Sequence, residues 1–416
     1  MMFADLAELW AIPSFRKLLF ARFISNYGNG LAPVALAFGV LGLEGSTPAD
    51  LSVVMASQMF PLVAFMLFGG VIADRYPRAL IVGVSDIILS VFVVYNGISF
   101  VDGHATVLSL SVVAFVGGTL NALWWPAFSG LVPEVVPEKL LQSANSAIGI
   151  GSNMSNIAGT VTGGIVVASL GAGWGLIGDG ITFLVAGILV FQLRGLGTTR
   201  AQGEHSPTVL QDLVHGWKEF VSRSWVVAVV AGYSIVAMLM ESVFAVVGPV
   251  HAKNVLGGPK PWSWIMGSLA AGMMCGVLVS LRVRPKRPLV VGLVAQVALG
   301  AWLLVMALTH SLISICLAAF FAGVAMDFFM VLWQTAMQSN IPRESLSRVT
   351  SYDAFGSLAL APLGLVVAGP LAGRLGSAHT LLLFSVMFFV SLFAMLSVRG
   401  VWRLKSTDAD VLQELE

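Results

Sequence analysis

The sequence predicts an all-α integral membrane protein: twelve transmembrane helices in two six-helix bundles related by pseudo-two-fold symmetry. Three observations predict it. Only 10% of the 416 residues are charged while 57% are apolar, and the mean hydropathy is +0.90. Soluble domains carry about 25% charged and roughly 45–50% apolar residues, so this chain has too little polar surface to coat a water-soluble globule. Twelve runs are long enough to cross a bilayer, which takes about 20 mostly apolar residues. Basic residues alternate with those runs so that almost all fall on one side.

The runs lie at 15–41, 51–72, 80–100, 107–128, 142–170 and 174–193 in the first half of the chain. In the second half they lie at 225–247, 262–281, 289–309, 312–333, 352–373 and 377–398. The fifth and eleventh are long and Gly-rich and hold Ser, Thr or Asn, which suits close helix packing more than lipid contact. With both termini in the cytoplasm, the cytoplasmic side collects nineteen of the 22 Lys and Arg residues, Arg22 among them, and only Lys253, Lys260 and Arg374 fall outside. Residues 1–14 hold no apolar core followed by a small-residue cleavage site, so the first span is expected to direct insertion.

The predicted organisation is a first bundle at 1–193, a cytoplasmic linker at 194–224, a second bundle at 225–398 and a cytoplasmic tail at 399–416. In the linker, Val209, Leu210, Leu213, Val214, Trp217, Phe220 and Val221 recur at helical spacing between Asp212, Lys218 and Glu219. That pattern predicts an amphipathic helix on the cytoplasmic face.

A shift of about 205 residues lays the first half on the second, the self-similarity expected of a repeat. It pairs Pro137 with Pro342, Leu141 with Leu346, Gly151 with Gly356, Gly159 with Gly364, Gly164 with Gly369 and Gly171 with Gly376. Parallel six-helix repeats of this kind predict a substrate site near the membrane midplane, where the halves meet.

The loop after the second span reads Gly70-Val71-Ile72-Ala73-Asp74-Arg75-Tyr76-Pro77-Arg78. It resembles the signature loop of the major facilitator superfamily, with Pro77 in place of its second Gly and Ala79 in place of its Lys. The resemblance runs from about Arg16 to Val398. It implies that Gly70, Asp74, Arg75 and Arg78 form a gating latch, with the arginines pairing with acids across the bundle interface. Trp125-Pro126-Ala127-Phe128 leading to Leu131–Pro137, Asp212–Trp217 in the linker, and Trp333-Gln334 through Pro342 are similar to a bacterial branch. That branch includes the enterobactin exporter and macrolide efflux proteins. Two features of proton antiporters are missing. The fifth span reads Gly159-Thr160-Val161-Thr162-Gly163-Gly164 without the Gly-Pro of drug antiporters, and the fourth span has no basic residue.

Charges inside spans are costly and default to a functional reading. Asp86, Asp179, Glu241 and Asp327 qualify. By the family resemblance the first, fourth, seventh and tenth spans line the cavity. Glu241 and Asp327 are therefore the leading proton-coupling candidates, with Asp86 the third. Each could take up a proton on one side and release it on the other, or could be a neutral acid held by local hydrogen bonds. Asp179 suits packing or capping. Substrate-cavity candidates are Asn26, Asn29, Asn121, Trp124 and Met238, since an aromatic wall with a few amides suits an amphipathic ligand. Trp124 and Trp125 near a span end also suit interfacial anchors.

No catalytic residue, metal site or cofactor is expected: the Gly-rich pieces lack a following Gly-Lys-Ser/Thr, and the His and Cys spacings match no ligand set. Cys275 and Cys316 sit in apolar runs as packing residues. A net charge of +1 suggests no nucleic-acid partner. The expected partners are a small-molecule substrate, protons and the lipid bilayer, with the protein working as a monomer in a bacterial inner membrane. The function this predicts is export of a small amphipathic molecule by proton antiport with alternating access. The alternatives are lysophospholipid flipping and uncoupled facilitation.

Overall fold

The computed structural model describes residues 2–195, 217–283 and 285–404, the side chains of residues 2–6, 67–71, 73–74, 343–348 and 351 excepted. All regular structure among them is helical. A short helix, Met2–Ala11, precedes the first long one. The first six long helices are Pro13–Gly42, Pro48–Arg75, Arg78–Val101, Val107–Val135, Leu141–Leu170 and Ala172–Phe191. The seventh covers Ser224–Leu256 and the eighth Pro259–Arg282. The ninth is Pro288–Ala295 with Val297–Leu308, and the tenth Leu312–Asn340. The eleventh is Arg343–Leu358 with Ala361–Leu375, and the twelfth Ser377–Ser397. Ten of the twelve are long and apolar enough to cross a membrane on composition alone. The other two, the first and the fifth, have 30 residues each, ample to span at 1.5 Å per residue, and are simply more polar.

Two compact units divide the chain. One is drawn from Met1–Gly203 with Ala252–Trp264, the other from Glu204–His251 with Ile265–Glu416. In the first unit, the first helix packs on the fifth and sixth, the second on the fourth, and the third on the fourth and sixth. In the second unit, the seventh helix packs on the eleventh and twelfth, and the ninth on the tenth and twelfth.

Small residues set how close these helices come, because in lipid the driving force is packing and not water release. A Cβ at Gly159 would stand 2.0 Å from the carbonyl oxygen of Tyr27, and one at Gly30 would stand 2.2 Å from that of Asn156. The first and fifth helices therefore touch backbone to backbone. Ser155 Oγ joins them by donating to the Phe23 carbonyl at 2.5 Å. The repeat reappears in this packing. Gly364, paired with Gly159 by the 205-residue shift, stands against the Met238 carbonyl of the seventh helix, 2.6 Å from where a Cβ would be. Gly118 abuts the Gln58 carbonyl and Gly323 that of Leu269, each at 2.0 Å from a Cβ position. Gly171 and Gly376 close the fifth and eleventh helices at φ +93° and +82°, a region that disfavours any side chain.

Three helices run seven or more residues past the C-terminal ends of their apolar runs. The fourth continues to Val135 through Pro126 and Pro133, and the tenth continues to Asn340; the runs end at 128 and 333. Hydropathy marks only the part of a helix that lies in hydrocarbon, whereas its hydrogen bonds continue beyond it. The seventh runs past 247 and is irregular there: the segments Val243–Val247 and Ala252–Leu256 are π-helical, on either side of Gly248–His251. Of the predicted linker helix, residues 209–216 lie outside the described residues. Its end is helical, with Trp217 and Phe220 packed on Tyr352 of the eleventh helix at 5.6 and 5.8 Å between ring centroids.

Candidate functional site

The first unit encloses a cavity of about 250 Å³. Each helix around it contributes one face at helical spacing: Asn29, Pro33 and Leu36 from the first, Leu89, Val93 and Asn96 from the third, and Leu110, Val113, Gly117 and Asn121 from the fourth. The second adds Met55 and Gln58, and the sixth adds Leu176, Asp179 and Phe183. Two of the predicted cavity residues, Asn29 and Asn121, thus meet in one space. Asn29 and Gln58 are exposed at its mouth, whereas Asp179 and Asn96 are 2% and 3% exposed. Buried polar atoms nearly always find a partner, yet Asp179 Oδ1 and Asn96 Oδ1 have none in this structure. Gly28 makes room for the acid, because a Cβ there would stand 2.3 Å from Asp179 Oδ1.

Asn26 and Trp124 do not line this cavity. Asn26 is buried and donates from Nδ2 to the Arg22 carbonyl at 2.7 Å and to Ser152 Oγ at 3.1 Å. Trp124 is buried and stacks on Phe128, 4.7 Å apart and 6° from parallel. Trp125 beside it is exposed. The Arg22 guanidinium lies 4.6 Å from the Trp124 ring and 4.8 Å from the Phe128 ring, within cation–π range. It also acts through space on Asp86, which feels Asp179 as well. The indole nitrogen of Trp124 reaches toward Asp86 without forming a full hydrogen bond. Asp86 therefore has a cationic neighbour that the sequence places among the loop cations. Arg22→Leu is expected to lower the thermal midpoint of the purified protein, because it leaves the buried Asp86 without the cation that acts on it through space. Adding Asp86→Asn should restore most of it. A double variant no more stable than the single would show that charge pairing is not the cause.

In the second unit, Glu241 stands two residues before the first π-helical turn, and such turns recur at functional sites. Among the described residues neither Glu241 nor Asp327 makes an ion pair. The aromatic neighbourhood of Asp327 was not legible beforehand. Tyr233 stacks on Phe329 at 5.4 Å and feels both Asp327 and Asp353 electrostatically. Trp333 Nε1 donates to Asp353 Oδ2 at 3.1 Å. Asp353 falls in the first turn of the predicted eleventh span, so a search for acids deep in spans passes over it. Met238 packs on Gly364, and its carbonyl accepts from Ser242 Oγ at 2.7 Å.

A family model described as Major Facilitator Superfamily matches residues 18–364. The chain belongs to that superfamily. It is 28% identical over 391 residues to the multidrug efflux pump Tap of Mycolicibacterium fortuitum, covering 89% of this chain and 91% of that protein. It is 24% identical over 406 residues to the enterobactin exporter EntS of Escherichia coli O1:K1 / APEC, covering 93% and 94%. Its fold matches that of a mutant of the nucleoside transporter NupG with a TM-score of 0.74, at 12% identity over 92% of this chain and 99% of the other.

The superfamily's signature loop is described here in part. The side chains of Gly70 and Asp74 lie outside the described residues, and Arg75 is exposed. Arg78 makes an ion pair within its own unit, Nη1 donating to Glu134 Oε1 at 3.1 Å and to the Gly130 carbonyl at 2.8 Å. The fourth helix is long enough to bring Glu134 there because it continues past the apolar run. Gly130 clears the path, since a Cβ on it would stand 2.3 Å from the Arg78 guanidinium carbon.

Proposed function

We propose that this superfamily member exports a small amphipathic molecule, such as a drug, siderophore or secondary metabolite, from a bacterial cell by proton antiport with alternating access. The observation that carries export is the match over about nine-tenths of the chain to two proteins named as exporters. Glu241 and Asp327 support the coupling: they are intramembrane acids without an ion pair among the described residues, and such acids mark proton relays. In this reading the protein works as a monomer in the inner membrane with both termini cytoplasmic, the orientation the basic residues favour. Gly70, Asp74, Arg75 and Arg78 serve the gate.

Inverted membrane vesicles from cells expressing the protein test this reading. Energised vesicles should accumulate a fluorescent amphipathic substrate, and a protonophore should collapse the accumulation. Uptake unchanged by the protonophore would replace antiport with facilitation. A second reading, lysophospholipid movement, is favoured by one observation. An apolar groove of about 480 Å³ runs between the seventh and twelfth helices, lined by Ala228, Gly232, Ile235, Val386, Val390 and Met395. Proteoliposomes with a short-chain fluorescent lysolipid decide it: movement no faster than in protein-free liposomes removes that reading.

A further inference from the structure

The groove of about 480 Å³ in the second unit has walls of one kind and an end of another. Ala228, Ala231 and Ile235 line it from the seventh helix, and Val386, Val390 and Ala394 from the twelfth. Each set keeps the three-to-four-residue spacing of one helix face. The alanines keep the walls low, and Val386 and Val390 are more than half exposed. The one polar side chain of the lining, Ser391, already donates to the Gly232 carbonyl at 2.9 Å. The groove therefore offers a ligand hydrocarbon alone. From Val386 to Val398 it follows the twelfth helix for roughly 18 Å at 1.5 Å per residue. That is about the depth of one leaflet of a hydrocarbon core roughly 30 Å thick, the reach of an acyl chain.

One end of this wall is cationic. Val398 is the last lining residue, and the short helix Arg399–Arg403 begins directly after it. That helix packs on both the seventh and the twelfth. It lies across the end of the groove, because a Cβ on Gly400 would stand 2.5 Å from Ser224 Oγ, one turn before Ala228. Arg399 and Arg403 are exposed and stand one turn apart. Trp402 folds back between them, Nε1 donating to the Leu396 carbonyl at 2.5 Å. The Arg287 guanidinium, from the start of the ninth helix, lies 5.9 Å from the Trp402 ring. None of the three arginines makes an ion pair among the described residues. Tryptophan and arginine at the end of an apolar wall are the composition of a membrane interface. An acyl-length groove ending in unpaired cations is complementary to a molecule with a hydrocarbon chain and a negative head.

We propose that the groove between the seventh and twelfth helices is a binding site for a resident glycerophospholipid with an anionic headgroup. One acyl chain lies along the alanine and valine walls, and the phosphate meets Arg399 and Arg403, with Arg287 alongside. Arginine suits this role because its guanidinium can donate two parallel hydrogen bonds to one phosphate. The lipid is bound and not carried, so the site stands apart from what the protein exports.

The test uses full-length protein purified in detergent and stripped of lipid, with the thermal midpoint as readout. The probe is dioleoylphosphatidylglycerol in mixed micelles. Dioleoylphosphatidylcholine supplies the same chains with a zwitterionic head, and glycerol 3-phosphate supplies the anion without chains. Saturable stabilisation by phosphatidylglycerol is expected, at a half-saturating concentration at least ten-fold below that of phosphatidylcholine. Arg399→Gln with Arg403→Gln should raise that concentration at least ten-fold and leave the phosphatidylcholine response unchanged. Ala394→Phe, which fills the groove from an exposed position, should weaken phosphatidylglycerol several-fold with the arginines intact. If the double variant does not fold, Arg287→Gln and Ala394→Phe carry the test, each expected to weaken phosphatidylglycerol several-fold. Four results overturn the proposal. Phosphatidylglycerol acting no better than phosphatidylcholine removes the headgroup contact. Glycerol 3-phosphate acting as well as phosphatidylglycerol leaves a bare anion site. A double variant that loses as much stability without lipid as with it means that the arginines serve the chain itself. Binding unaffected by all the variants places the lipid elsewhere. Lysolipid movement no faster than in protein-free liposomes would leave this site standing, and loss of the site would leave export standing.

Discussion

Glu241→Gln and Asp327→Asn, made singly, are expected to lower gradient-driven accumulation in inverted vesicles at least ten-fold. Both acids lie in helices that cross the membrane, where a carboxyl without an ion pair is the usual device for carrying a proton. Neither change should unfold the protein, because Gln and Asn keep the volume and the hydrogen-bonding capacity of the acids they replace. Downhill exchange of labelled substrate should survive in at least one variant, since exchange requires alternation but no net proton movement. In the variant lacking the proton carrier, the pH dependence of transport should flatten. Two variants that keep both accumulation and its pH profile would make these acids structural. The protein would then be a facilitator, or would couple through Asp86.

Gly159→Val should eliminate folded protein. The valine Cβ would start 2.0 Å from the Tyr27 carbonyl oxygen, and the obstacle is backbone, so only separation of the first and fifth helices relieves it. Inserting methylenes into a packed core typically costs about 1–3 kcal/mol; a collision with a neighbouring helix backbone belongs at or above the top of that range. The expected result on fluorescence-detected size-exclusion chromatography is loss of the monodisperse peak. Gly149→Ala is the control. Beyond its own stretch of helix nothing lies within 4 Å of its Cβ position, and alanine favours the helix by about 0.8–1.0 kcal/mol. A monodisperse Gly159→Val protein would mean that the two helices can part without loss of the fold.

The helices and the internal repeat were legible in the sequence because both are written along it. Apolar runs mark spans directly. The 205-residue shift pairs Gly159 with Gly364 and Gly171 with Gly376, and each pair plays one structural role in both halves. Candidate site residues were legible only when their type alone was informative, as with Asn29, Asn121, Glu241 and Asp327. Asn96 and Gln58 carry the same chemistry as Asn29 but join the cavity through the rotation of the third and second helices, which composition does not encode. Arg22 shows a second limit. Near a span end it reads as one more inward-facing cation, and its position over Trp124 and beside Asp86 depends on which face the fourth and third helices turn toward the first. The Glu134 that Arg78 meets lies on a helix that continues beyond its apolar run, so the run gave no sign of it.

The two π-helical segments of the seventh helix give that helix a phase as well as a length. An α-helix advances about 100° per residue, at 3.6 residues per turn, and each wide turn accommodates a residue that a regular helix would not. Deleting one residue from Val243–Val247 would let the segment wind regularly while leaving Glu241 and His251 close to their present relative phase, because the wide turn already absorbs that residue; His251 Nδ1 meets Ser377 Oγ at 3.1 Å. The same deletion in the regular turns just before Glu241 would instead act as a rotation of about 100°, turning the start of the helix to another face relative to the acid.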